Sequence, residues 1–111
     1  MKENKVYLDH ILDCIHNILS YTEGMDEDSF NKNFMVQDAV VRNFQIIGEA
    51  TKRIKPDFKT SHPNVPWKKM TGMRDKLVHD YFQIDLETVW NTVVIDIPSP
   101  LIELKEIHSK L

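Results

Sequence analysis

Residues 36–54 read Val36-Gln37-Asp38-Ala39-Val40-Val41-Arg42-Asn43-Phe44-Gln45-Ile46-Ile47-Gly48-Glu49-Ala50-Thr51-Lys52-Arg53-Ile54. Within them Val36, Val40, Phe44, Ile47, Ala50 and Ile54 recur at steps of 3 and 4, the spacing that lines one face of an α-helix with apolar side chains. Arg42, Gln45 and Glu49 form a polar stripe on another face. Lys52, Arg53 and Lys55 fall where positive charge suits the end of a helix dipole, and Pro56 closes the element.

Working outward, Leu8, Ile11, Leu12, Ile15, Ile18 and Leu19 repeat the same spacing and predict an earlier helix of about five turns. Glu23-Gly24-Met25 marks a turn, after which the acidic Asp26-Glu27-Asp28-Ser29 starts a short helical turn around Phe30. On the other side, Pro56 to Val65 reads as a loop. Pro66 before Trp67 fits proline at the first position of a third helix, which carries Met70, Met73, Leu77 and Val78. Asp85 is placed as the N-cap of a fourth, with Leu86, Val89, Trp90, Val93 and Ile97 as its stripe. Pro98 and Pro100 interrupt the pattern, and Leu101, Leu104, Ile107 and Leu111 resume it in phase, as a kinked or restarted helix does. No segment alternates with period 2. The expectation is an all-α, antiparallel up-and-down bundle of four to five helices, with residues 1–111 as a single domain.

The composition agrees with a globular chain: 41% of the 111 residues are hydrophobic and 28% charged, with few glycines. One cysteine, Cys14, makes neither an internal disulfide nor a thiolate metal site and points to a reducing setting. No apolar run approaches the roughly 18 residues of a membrane span, and the N-terminal residues lack a signal-peptide core. A cytoplasmic location is therefore expected. The formal net charge is −3, yet residues 52–76 hold eight of the fourteen basic groups against Asp57 and Asp75 alone. That segment carries +6 on an otherwise acidic chain, the local field that a phosphate-binding surface needs.

One residue breaks the apolar pattern. Met70, Leu77, Val78 and Tyr81 fall within about 60° of Arg74 on a helical projection, so an arginine stands amid the stripe. A structural reading pairs it with Glu49 at the edge of the bundle. A functional reading lets its planar guanidinium hold a phosphate by two hydrogen bonds. His79 lies about 140° round from it and has the side chain suited to proton transfer near neutrality. The other histidines, His10, His16, His62 and His108, show no ligand spacing, and no carboxylate pair or glycine-rich phosphate loop is visible. No metal or cofactor is expected.

The run Arg74-Asp75-Lys76-Leu77-Val78-His79-Asp80-Tyr81, an arginine, four residues, a histidine, one residue and a tyrosine, resembles the signature of HEPN-domain ribonucleases of the HepT toxin family. The similarity extends through Asp38 to Ala50, His62-Pro63, Val65-Pro66-Trp67, Gly72-Met73, Asp85-Leu86 and Val89-Trp90, and covers roughly residues 5–105 in order. The resemblance implies a homodimer whose motif helices face each other, burying the Met70, Leu77, Val78 and Tyr81 stripe and bringing two Arg74 and two His79 into one site. It also implies metal-independent RNA cleavage, with His79 transferring protons, Arg74 stabilising the phosphoryl charge and Asp75 in support. By the same resemblance the partner is a nucleotidyltransferase antitoxin that attaches AMP to Tyr81. The contrasting expectation is a non-catalytic module that binds nucleotide or presents itself to a nucleotidyltransferase.

Overall fold

The computed structural model describes residues 2–79 and 85–111, with side chains for 3–73 and 85–111. Every described element is helical: α1 (Lys2–Tyr21), α2 (Glu27–Asn31), α3 (Phe34–Arg53), α4 (Pro56–Ser61), α5 (Trp67–His79), α6 (Leu86–Asn91), a π-helical turn (Thr92–Asp96) and α7 (Leu101–Ser109). The all-α bundle expected from the periodicity is the architecture found. Its count differs, because short helices accompany the long ones.

The frame is the pair of 20-residue helices α1 and α3. Their apolar faces meet in the core, with Leu8, Ile11, Ile15 and Ile18 of α1 and Val40, Phe44 and Ile47 of α3 all 2% exposed or less. Two polar contacts give their relative direction. Near one end the side chain of Asn4 accepts from the backbone N–H of Lys55 at 3.2 Å, and near the other Asn17 donates to Asn43 at 3.3 Å. Low numbers on α1 thus meet high numbers beyond α3, and the pair is antiparallel. Helix α5 also packs on α3, and α7 packs on α1. The His108 side chain of α7 pairs with Asp9 of α1.

The turn expected around Phe30 is α2. Asp26 caps it, its carboxylate accepting from the Ser29 N–H at 2.8 Å while the Ser29 hydroxyl receives the Asp26 N–H at 3.1 Å. Phe30 is fully buried and lies against Trp90 with ring centroids 5.2 Å apart, so the short helix is held by its anchor and by the reciprocal cap. Helices of this length do not stand alone.

Three expectations need correction. Residues 56–65 are not simply a loop: α4 occupies Pro56–Ser61, with Pro56 as its first residue. The same proline that stops α3 starts α4, because it holds Lys55 in extended backbone (φ −64°, ψ 141°) and is itself pre-set for a helix. Pro66 sits one position before α5, where its carbonyl accepts from the Met70 N–H. Leu111 is not part of the core stripe; it is 41% exposed, beyond the end of α7.

The fourth predicted stripe explains the π-helical turn. Val89, Val93 and Ile97 are each 1–2% exposed, although their steps of four would drift by about 80° on a regular α-helix. A wider turn removes that drift, and the Ile97 N–H accordingly bonds the Thr92 carbonyl five residues back at 3.0 Å. Residues 97–100 then turn the chain, Pro100 precedes α7, and Leu104 and Ile107 return to the core in the expected phase.

Asp85, the N-cap of α6, accepts from the Thr88 hydroxyl at 2.8 Å and from its backbone N–H at 3.2 Å. Those bonds hold its carboxyl below the ordinary carboxylate range, and the Ser29 backbone and hydroxyl do the same for Asp26. A group with a lowered folded-state pKa stabilises above its unfolded value and loses that contribution as pH falls through the lowered one. Thermal unfolding followed by circular dichroism should therefore show a wild-type advantage over Asp85→Asn at neutral pH that shrinks between about pH 5 and pH 3. A gap independent of pH would show that the charge contributes nothing.

Candidate active-site helix and cationic surface

Of the residues singled out for chemistry, Arg74, Asp75 and His79 fall on α5, so what fixes this helix fixes their backbone. Its start is locked by aromatic packing. The Trp67 indole N–H donates to the His62 carbonyl at 2.9 Å and the Trp67 backbone N–H to the Val65 carbonyl at 2.8 Å. Phe58 of α4 lies between, its ring centroid 4.7 Å from His62 and 6.4 Å from Trp67 in an edge-on arrangement. Val65 and Trp67 are buried, and one turn later Met70 (1% exposed) and Met73 (6%) enter the core. His62, one of four histidines without an assigned role in the sequence, is thus part of the clamp on the helix start.

The helix is continuous through His79. Arg74, Asp75 and His79 therefore stand on one rigid element, and the five steps from Arg74 to His79 advance about 7.5 Å along its axis. Their side chains, and with them the Arg74–Glu49 pairing, lie outside the described residues. So does Tyr81. One part of the expected dimer stripe is corrected: Met70 packs inside its own chain's core and has almost no surface left to offer another copy.

The cationic segment is less uniformly free than its composition suggests. Lys55 pairs with Glu3 of α1 at 3.7 Å, and Lys69 with Asp96 of the π-helical turn at 3.3 Å. Partial burial pushes the Lys59 ammonium below its usual value. Lys52, Arg53 and Lys68 are exposed and meet no acidic partner among the described residues. The tertiary structure thus brings acids from distant parts of the chain to two of the lysines and leaves a smaller cationic set at the end of α3 and the start of α5.

Several buried polar residues escaped the sequence reading. Asn4 is 2% exposed and ties the start of α1 to the α3–α4 junction. Its position four residues before Leu8, in phase with the apolar stripe, was the available signal. Gln37 is 7% exposed and donates to the Phe30 carbonyl at 2.8 Å, joining α2 to α3. Thr51 is fully buried and returns its hydroxyl to the Ile47 carbonyl at 2.7 Å. Cys14 is buried beside Asp13, and burial first, then that charge, pushes its thiol up to about 11, which removes it as a nucleophile. Among the described residues no three His, Cys, Asp or Glu side chains cluster as metal ligands, and no helix is long and apolar enough to cross a membrane.

The fold is an all-α bundle, and comparison with known proteins names the family. Residues 11–107 match the family described as Ribonuclease HepT-like. The chain is 44% identical over 98 residues to a Thermococcus cleftensis protein named "Probable ribonuclease HepT", an alignment covering 88% of this chain and 89% of that one. It is 40% identical over 106 residues to a protein of Methanocaldococcus jannaschii named as a candidate RNase, covering 96% and 88% of the two chains. A similarly named protein of Caldanaerobacter subterraneus subsp. tengcongensis is 38% identical over 110 residues, with 99% and 98% covered. No solved structure matches the chain significantly. The chain belongs to the HepT-like ribonuclease family.

The clamp on the start of α5 makes a prediction. Trp67→Phe keeps an aromatic ring in the core but leaves the His62 carbonyl without its indole donor. It should lower unfolding stability by about 1 kcal/mol or somewhat more, read as a smaller urea midpoint at unchanged slope. An unchanged midpoint would mean that packing alone holds the helix start.

Proposed function

We propose that this protein is a metal-independent endoribonuclease toxin, a single-domain chain working as a homodimer with a composite site built from Arg74 and His79 of both copies. The observation that carries the reading is the placement of the arginine, four intervening residues and the histidine on the one continuous helix α5 of a HepT-like chain. The names its relatives carry, RNase and ribonuclease HepT, point the same way.

The chemistry follows from the side chains. A base takes the proton of a ribose 2′-OH, the oxygen attacks the adjacent phosphorus, the bond from phosphorus to the 5′-oxygen breaks, and an acid protonates that oxygen. The products are a 2′,3′-cyclic phosphate and a 5′-hydroxyl. Histidine performs both proton transfers near neutrality, and in a dimer one His79 serves as base while its symmetry mate serves as acid. Arg74 binds the phosphoryl oxygens through its two-pronged guanidinium as charge develops on them. Asp75 supports the orientation of its neighbours. The exposed Lys52, Arg53 and Lys68 steer the RNA backbone by charge.

Control is assigned to a nucleotidyltransferase antitoxin that attaches AMP to the Tyr81 hydroxyl. Seven residues from Arg74, almost two helical turns on, Tyr81 falls within about 20° of it on a helical projection. The added phosphodiester competes for the arginine that the substrate needs. Inhibition then requires only steric and electrostatic occupation.

His79→Ala should abolish RNA cleavage, by at least the roughly hundredfold associated with a general acid or base, while its circular dichroism spectrum stays that of wild type. Arg74→Lys keeps the charge, loses the planar fork and should also lose most activity. Both are read by cleavage in chelator with detection of the cyclic phosphate. Wild-type rates in His79→Ala, or a strict Mg²⁺ requirement, would contradict the mechanism.

Co-expression with the partner nucleotidyltransferase should add AMP mass to wild type and none to Tyr81→Phe, measured on the intact protein. Mass retained in Tyr81→Phe would place the modification elsewhere.

A further inference from the structure

A groove of about 360 Å³ runs between α1 and α3. Tyr7 and His10 of α1 and Gln45, Ile46, Ala50 and Arg53 of α3 line it. Its surface is mainly apolar. Tyr7 and Ile46 are half-buried against the core, and Ala50 is 5% exposed. His10, Gln45 and Arg53 are exposed, so the hydrogen-bonding and charged groups edge an apolar recess.

We infer that this groove is a nucleotide subsite of the same RNA-cleaving site, taking one base of the substrate with its phosphate; the inference rests on the ribonuclease reading above. Three observations converge on that occupant. An aromatic ring beside aliphatic carbon offers a base the apolar contact on which single-stranded RNA recognition relies. Gln45 presents an amide that both donates and accepts, matching the edge of a base. Arg53 belongs to the cationic segment, is exposed, and meets no acidic partner among the described residues, so it complements the phosphate attached to that base. A bare anion fits poorly, because the pocket surface is mostly carbon and Glu49 also lines it. An apolar peptide fits poorly too, since polar groups stand along the same recess.

Position supports the assignment. Helix α3 packs against both α1 and α5, so groove and motif helix share that element. A strand of RNA engaged at α5 therefore has a second foothold one helix away.

The test uses the full chain and one oligoribonucleotide in two forms, a cleavable RNA for kinetics and its 2′-O-methyl analogue for binding by fluorescence anisotropy. Tyr7→Leu keeps apolar volume and removes the ring; Arg53→Gln removes the charge from an exposed site. Each should raise KM and the Kd of the analogue about tenfold and leave kcat within about threefold of wild type. Arg53→Gln should also flatten the salt dependence of binding by about one unit of slope, whereas Tyr7→Leu should leave that slope unchanged. Lys105→Gln, an exposed charge change on α7, serves as control. Variants that are folded by circular dichroism yet bind and cleave like wild type would overturn the inference. So would variants that lose affinity for a partner protein at unchanged RNA Kd, which assigns the groove to protein docking. If groove-dependent binding of the analogue is found but wild type cleaves no RNA, the nuclease reading falls and the subsite stands.

Discussion

The antiparallel packing of α1 on α3 is the constraint on which the other elements rely. Two 20-residue amphipathic helices bury one continuous apolar seam, and the buried Asn4 fixes their register by accepting the Lys55 N–H just beyond the end of α3. Neither helix is held by propensity alone; burial of Ile11, Ile15, Phe44 and Ile47 supplies most of the driving force. Once the pair is set, α3 presents its remaining apolar side chains to α5, and α1 presents its own to α7.

That hierarchy places function at the second layer. Helix α5 is joined to the frame by Met70 and Met73 and by the Phe58, His62 and Trp67 cluster at its start. The segment preceding it carries two prolines and an aromatic clamp where a flexible linker would let the helix swing. A helix anchored at its N-terminal half can hold Arg74 and His79 in fixed axial relation, which proton transfer and phosphate binding both require. The chemistry proposed for it uses no group from the hydrophobic seam, so stability and activity draw on different residues.

Charge follows the same division. The run from Lys52 to Lys76 is basic as a sequence, but folding brings Glu3 to Lys55 and Asp96 to Lys69. The Lys55–Glu3 pair is largely solvated and Lys69 of the other is exposed, so neither contributes much to stability. Their effect is on the surface field: among the described residues the exposed cations without an acidic partner are Lys52, Arg53 and Lys68, at the end of α3 and the start of α5.

Much of the bundle was legible from apolar spacing, because steps of 3 and 4 in Leu8–Ile18, Val36–Ile54 and Leu86–Ile97 match the geometry of the helix itself. The cap at Asp85 was equally legible, since its partner stands three residues away, and the acidic stretch from Asp26 marked the start of the short turn around Phe30. The motif from Arg74 to Tyr81 was legible as a resemblance in the linear order of residues. Contacts between groups far apart in the chain were not legible in this way. Asn4 and Lys55, Phe30 and Trp90, Lys69 and Asp96 and the groove between Tyr7 and Arg53 exist because helices cross, and no local rule specifies which side chains then meet. The π-helical turn has the same origin: the core demanded that Val89, Val93 and Ile97 share one face, and the backbone widened to allow it. Met70 shows the limit from the other direction, since the family resemblance placed it in a dimer stripe, while packing buried that methionine inside its own chain.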